Sequence, residues 1–220
     1  MSDFSEIRKH MVFTLVQEGR IRSAEVIEAM EAVPRELFVL PNNKKHAYID
    51  TPLSIGSGQT ISAPHMVGIM LEELELEPGL RVLEVGAGSG YHAAVVAHII
   101  GTKPGGHVYS IEIKKELAEF AKQNIIRAGY GDKVTVIAGD GSLGYAQEAP
   151  YHRIFVTCAS PDIPPPLVDQ LAEEGKLLIP VGSTFYSDLT RLTKVQNRLT
   201  KSKLGGCAFV PMLGEYGHRE

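Results

Sequence analysis

Cysteine is scarce in this chain of 220 residues: only Cys158 and Cys207 occur, both in strand-like contexts. Two thiols cannot build the disulfide framework of a small secreted domain, so they read as reduced core residues of a cytoplasmic protein. Long apolar runs are missing as well. Ala93 to Ile100 is among the longest, far short of the roughly 20 residues that a membrane-spanning helix needs. There is no excess of positive charge: 22 Lys and Arg stand against 26 Asp and Glu, a formal net charge of −4. A nucleic-acid partner, which calls for a basic face, is therefore not expected. The opening MSDFSEIRKH lacks the basic-then-apolar order of a secretory signal. The histidines show no ligand spacing, since His92 and His98 are six apart on different helix faces, so no metal site is expected. Internal repeats and low-complexity segments are absent too.

What is present fits one globular α/β domain spanning 1–220, with 44% hydrophobic and 22% charged residues. It divides into N-terminal helices and a loop (1–77), a central core (78–180) and a C-terminal hairpin with a trailing apolar segment (181–220). The organising stretch is Arg81 to Gly90, R-V-L-E-V-G-A-G-S-G. Arg81 to Val85 is short, apolar and β-branched, the pattern of a strand covered on both faces. Gly86, Gly88 and Gly90 allow a sharp turn and close backbone approach. Tyr91 to Ile100 reads as the following helix, its N-terminal amides aimed at whatever the turn holds. Strand, glycine turn and helix make the nucleotide-binding arrangement of doubly wound α/β sheets.

The spacing selects among ligands. A dinucleotide fingerprint requires a third glycine at position 91, which is Tyr91. Glu84, two residues before Gly86, would repel a pyrophosphate and attract a cation. S-adenosylmethionine carries a sulfonium and an ammonium and no phosphate, so the sign of the charge favours it. An incidental acid in an ordinary turn is the plainer explanation.

Along the chain, Phe4 to Glu18 and Ser23 to Val33 read as helices, with Ser23 as N-cap and Pro34 as the stop. Phe38 to Ser62 is loop-like but rich in Tyr48, Ile49, Leu53, Ile55 and Ile61, which argues for an ordered functional segment. Ser62 precedes a helix over Pro64 to Leu74, so a capping role competes with a ligand role for its hydroxyl. His107 to Ile111 is the second core strand. It ends at Glu112, placed to accept the hydroxyl protons of a ribose or simply to lie solvated at a helix start. A helix over Glu116 to Ala128 precedes the third strand, Val134 to Ala138. In Gly139-Asp140-Gly141, Asp140 is placed to accept an adenine amino proton, or serves a plain turn. Arg153 to Cys158 and Lys176 to Pro180 read as strands with a helix over Ile163 to Leu171 between them. From Leu189 the pattern alternates, L-T-R-L-T-K-V and then L-T-K-S-K-L, an antiparallel hairpin added to a parallel sheet. Gly205 to Gly214 is apolar and loop-like.

Several of these stretches together resemble the protein-L-isoaspartate O-methyltransferase family over nearly the whole chain. They are V-P-R-E-L-F-V (Val33 to Val39), A-Y-I-D-T-P-L, G-Q-T-I-S-A-P-H-M, V-L-E-V-G-A-G-S-G-Y, I-E-I (Ile111 to Ile113), G-D-G and F-V-P-M-L-G. G-Q-T-I-S-A-P-H-M is the specific signature; the glycine turn by itself indicates only a class I methyltransferase. The resemblance implies a seven-stranded, mostly parallel Rossmann-like sheet with its last strand pair reversed. It implies Ser62 as the active-site residue, and S-adenosylmethionine held by Thr60, Ile61, Glu84, Val85, Gly86, Gly88, Glu112, Ile113, Asp140 and Gly141. Ser62, Phe209, Val210 and Pro211 would meet the substrate, an isoaspartyl residue of a damaged protein or peptide whose free α-carboxylate is methylated. A monomer acting in the cytoplasm without nucleic acid or membrane is expected. An α-carboxylate, with a pKa of roughly 3.5, is ionised at neutral pH, so no general base is needed. A methyltransferase acting on a small molecule and a binding module that no longer transfers methyl are the alternatives.

Overall fold

The computed structural model describes residues 4–183 and 186–218; the outermost positions of the 1–220 span, MSD of the opening included, lie outside the described residues. Helices α1 (Phe4–Gln17) and α2 (Ala24–Ala32) lead into a 3₁₀ turn at Arg35–Leu37 and another at Pro41–His46. A two-stranded hairpin follows, β1 (Leu53–Gly56) and β2 (Gln59–Ile61), then α3 (Pro64–Leu74). The core alternates β3 (Arg81–Val85), α4 (Tyr91–Ile100), β4 (His107–Glu112), α5 (Lys115–Arg127), β5 (Val134–Ala138) and β6 (Tyr151–Val156). The chain closes with α6 (Pro165–Asp169), β7 (Leu171–Gly182), β8 (Ser187–Val195) and β9 (Arg198–Cys207).

Seven strands form one sheet in the order β5-β4-β3-β6-β7-β8-β9. The pairs from β5 through β7 are parallel, and β8 and β9 run antiparallel at the edge. Alternation along each strand divides the core. Val82 and Phe155 face a cluster shared with α1 to α5, whereas Leu83 and Ile154 face a second cluster with Leu167 of α6. Thiols Cys158 and Cys207 are free and buried. No helix among the described residues is long and apolar enough to cross a membrane.

The sequence reading differs from the fold at several places. The expected 38–62 loop contains the Pro41–His46 turn and the β1–β2 hairpin. That hairpin reverses at Ser57 and Gly58, both at positive φ (52° and 72°), the backbone a tight two-residue turn requires. Ser62 is not the N-cap of α3: Ala63 occupies that position, one residue later, with proline next. Strand β6 starts two residues before Arg153 and ends at Val156, and β7 starts at Leu171, where a helix was expected to end. Helix α6 is therefore only Pro165–Asp169, its start delayed by consecutive prolines. Finally, β9 extends to Cys207 into the segment expected to be loop.

Candidate active site

A cavity of about 800 Å³, its open mouth included, lies at the C-terminal ends of β3, β4 and β6. This is the point where the strand order reverses, the place where open α/β sheets bind ligands. Two walls of different origin enclose it.

The first wall is nearly contiguous in sequence and runs from Glu84 to His92. Gly86 has φ of +96°, and a Cβ there would stand 2.4 Å from Thr157 Oγ1, so only glycine permits the turn to pass. The turn is fixed by Gly86 N and Ala87 N donating to Ile111 O (2.8 and 3.1 Å). Glu112 grips it from the neighbouring strand: its Oε2 accepts from Gly88 N (2.9 Å) and its Oε1 from Lys114 N (3.1 Å). Glu84 is fully buried, its Oε2 accepting from Ser110 Oγ while Oε1 has no partner among the described residues. Burial, only partly offset by the Ser110 hydroxyl, pushes its pKa up to about 8. The Glu84 carboxyl is thus protonated at neutral pH until a cation meets Oε1, a refinement of the simple charge attraction read from sequence. A vacant acceptor for a cation and an acid placed for hydroxyl donors therefore share this wall.

The second wall joins residues far apart in the chain: Gln59 to Ser62 from β2 and its exit, and Val210 to Leu213 from beyond β9. The Ser62 hydroxyl makes no hydrogen bond to the described protein, and its carbonyl accepts from Arg35 Nη2 at 2.7 Å. The capping role that competed for this hydroxyl is therefore not used. The trailing segment is pinned by Ala159 N donating to Val210 O (2.8 Å) and Met212 N donating to Ala159 O (2.7 Å).

Thr60, Ile61, Ser62, Glu84, Val85, Gly86, Gly88, Glu112, Ile113, Gly141, Val210 and Pro211 all line the cavity, as the sequence reading grouped them. Asp140 and Phe209 do not. Asp140 Oδ1 accepts from Ser142 N and Ser142 Oγ (2.9 and 2.7 Å), and Oδ2 from Glu215 N (2.8 Å). Its carboxylate fastens the C-terminal segment to the turn after β5, and Gly141 takes the cavity-facing place. Phe209 packs against the main hydrophobic cluster instead.

Sequence reading passed over His92, Thr157 and Cys158, which also line the cavity. His92 is the second residue of α4, directly after the glycine turn, and that position was its legible signal. Burial lowers its pKa to about 3, keeping it neutral, and Nε2 has no partner among the described residues. Thr157 and Cys158 follow β6 and reach the site only because β6 is the neighbour of β3. Burial and the nearby Glu112 raise the Cys158 thiol pKa far above its ordinary value, so it is not a nucleophile. No group of three or more His, Cys, Asp or Glu among the described residues is placed to hold a metal.

The family model for protein-L-isoaspartate(D-aspartate) O-methyltransferase matches residues 6–217. A Hyperthermus butylicus protein-L-isoaspartate O-methyltransferase is 55% identical, over 99% of this chain and 92% of that protein. Its Staphylothermus marinus counterpart is 51% identical over 100% of this chain and 99% of its own length. Among solved structures, a Plasmodium falciparum protein of the same description, in complex with S-adenosyl-L-homocysteine, superposes with a TM-score of 0.84 at 32% identity. That superposition covers 94% of this chain and 98% of the other.

Proposed function

This chain belongs to the protein-L-isoaspartate(D-aspartate) O-methyltransferase family, and on that basis we propose that it methylates the free α-carboxylate of L-isoaspartyl residues in damaged proteins and peptides. The methyl ester then collapses to a succinimide, whose hydrolysis returns part of the material to normal aspartate. S-adenosylmethionine supplies the methyl group and leaves as S-adenosylhomocysteine.

The residues fit that cofactor. Glu84 Oε1, buried and without a partner among the described residues, suits its ammonium, while Glu112 at the end of β4 suits ribose hydroxyls. Gly86 and Gly88 clear the space, Gly141 stands beside Val85, and Thr60, Ile61 and Ile113 complete the surround. Asp140 is assigned to holding the C-terminal segment rather than to adenine.

The observation that carries the reading is Ser62: a hydroxyl free of partners among the described residues, in the same cavity as Glu84 and Glu112. It is free to donate to the substrate carboxylate and orient it. The acceptor is already an anion, so the protein has to place it and exclude water rather than remove a proton. An acceptor that is already an anion needs no base to activate it, and Ser62 need only orient it. Val210 and Pro211 form the substrate wall with it.

We read the chain as one domain acting as a cytoplasmic monomer, without nucleic acid or membrane; its mass in solution and its location in cells check this directly. The deciding experiment is single-turnover methyl transfer from S-adenosylmethionine to a pair of peptides that differ only in an aspartyl or isoaspartyl linkage. Transfer to the isoaspartyl form alone is expected. Equal rates on both would reduce the assignment to a generic carboxyl methyltransferase.

A further inference from the structure

Behind Ser62 lies a charge that the proposed chemistry has not used. Arg35, in the turn after α2, is fully buried. Its Nε donates to Ala47 O (2.8 Å) and its Nη2 to Ser62 O (2.7 Å). The guanidinium carbon sits 5.0 Å from the centre of the Tyr91 ring, and Tyr91 is the first residue of α4. One side chain therefore touches the loop before the β1–β2 hairpin, the exit of that hairpin and the helix that follows the glycine turn. A lysine has no fork with which to hold both carbonyls.

The electrostatics are as unusual as the geometry. No carboxylate lies within ion-pair distance of Arg35 among the described residues, although buried charges are ordinarily paired. Its Nη1 has no hydrogen-bond partner among them either. Burial lowers its pKa to about 10, which still leaves it charged at neutral pH. Meanwhile two acids, Glu84 and Glu112, line the cavity that is to receive a carboxylate. Glu84 is neutral until it meets the cofactor's ammonium, so Glu112 is the acid whose charge an anionic substrate meets, and the interior cation nearest Ser62 is Arg35.

We propose that Arg35 is a positioning residue for the acceptor carboxylate: it fixes Ser62 by its carbonyl and supplies, from behind, the positive charge that the substrate's carboxylate balances. The inference rests on the methyltransferase reading of the cavity. It concerns charge selectivity, which a purely architectural arginine would not confer.

The test compares wild type, Arg35→Gln and Arg35→Lys, with Leu171→Ala as a core truncation at the opposite end of the strands. Each is assayed for turnover on an isoaspartyl peptide, for S-adenosylhomocysteine affinity, and for binding of that peptide and of its neutral α-carboxamide analogue. Wild type should bind the carboxylate form about tenfold or more tighter than the carboxamide, a preference typical of a charge-assisted contact. Arg35→Gln should narrow that preference to about twofold and slow turnover about 100-fold, the scale of a misplaced reacting group. Carboxamide and S-adenosylhomocysteine affinities should stay within about twofold. Arg35→Lys, which keeps the charge, should retain much of the preference yet lose about tenfold in turnover for want of the fork. Leu171→Ala should keep both properties. A preference that survives Arg35→Gln, or full turnover in Arg35→Lys, would overturn the inference while leaving the functional reading intact. If wild type binds S-adenosylhomocysteine but transfers no methyl to the isoaspartyl peptide, the functional reading itself fails and this inference with it.

Discussion

The two walls of the cavity differ in how they are made. The glycine-turn wall is built from neighbours in sequence, Glu84 to His92, braced by Glu112 from the adjacent strand. The Ser62 wall is assembled from residues 59–62 and 210–213 and held by Arg35 and Asp140 through bonds that span long stretches of chain. The first wall is a local conformation that the sheet merely carries. The second exists only once the whole chain has folded, so under the proposed function holding the cofactor and placing the acceptor are separable.

That division is open to test. The largest effect is expected from Ser62→Ala: turnover falling on the order of 100-fold as one orienting donor is lost, with S-adenosylhomocysteine affinity unchanged. Stability should move by less than about 0.5 kcal/mol, because this hydroxyl neither caps α3 nor bonds any described residue. A melting-temperature drop without a rate loss would return Ser62 to a structural role. Next comes Glu112→Ala, which removes the acceptor of Gly88 N and Lys114 N as well as the proposed ribose contact. Calorimetry should show S-adenosylhomocysteine binding weakened about 10- to 100-fold; an unchanged affinity would refute the ribose assignment.

Glu84 offers a smaller, pH-dependent effect. Its pKa in the folded, ligand-free protein is about 8 against the usual 4.5, so its contribution to stability is fully present below pH 4.5 and is lost as pH rises through 8. Binding an ammonium requires the ionised form and so releases a proton. S-adenosylhomocysteine affinity should therefore climb between pH 6 and 8, by up to about tenfold per unit, and level off above. Glu84→Gln should flatten that profile, and a slope that persists in the variant would mean that another group is responsible. The mildest change is Asp140→Asn, which weakens the bonds from Ser142 and Glu215. The KM for peptide should rise about threefold to tenfold while S-adenosylhomocysteine affinity holds. The opposite pattern would restore Asp140 to the adenine and blur the distinction between the walls.

Much of this protein was legible in its residues. Arg81–Val85, Tyr91–Ile100, Pro64–Leu74 and Val134–Ala138 have the boundaries that their periodicity and glycine or proline punctuation imply, because those signals act over a few residues. The cavity-lining acids and glycines of the first wall were legible for the same reason: a strand-turn-helix motif presents them wherever the sheet forms. The strand pair β8–β9 announced itself by alternation of apolar and polar residues, although β9 is exposed along most of its length.

What tertiary structure alone decided is which of several local possibilities each polar residue uses. Ser62 looked like a cap, and the chain instead places Ala63 there. Asp140 read as an adenine acceptor or a plain turn residue, and the fold adds a third use, accepting from Ser142 and from the backbone of Glu215, 75 residues away. Arg35 carried no local signal of function, yet it bonds carbonyls 12 and 27 residues downstream. His92 gained its place because Phe155 of β6 packs against its ring, with centroids 4.6 Å apart. The physical reason is common to all four. Hydrogen bonds, burial and charge depend on distance in space, and sequence reports distance only between near neighbours, so the contiguous wall could be read in advance and the composite wall had to be folded to be seen.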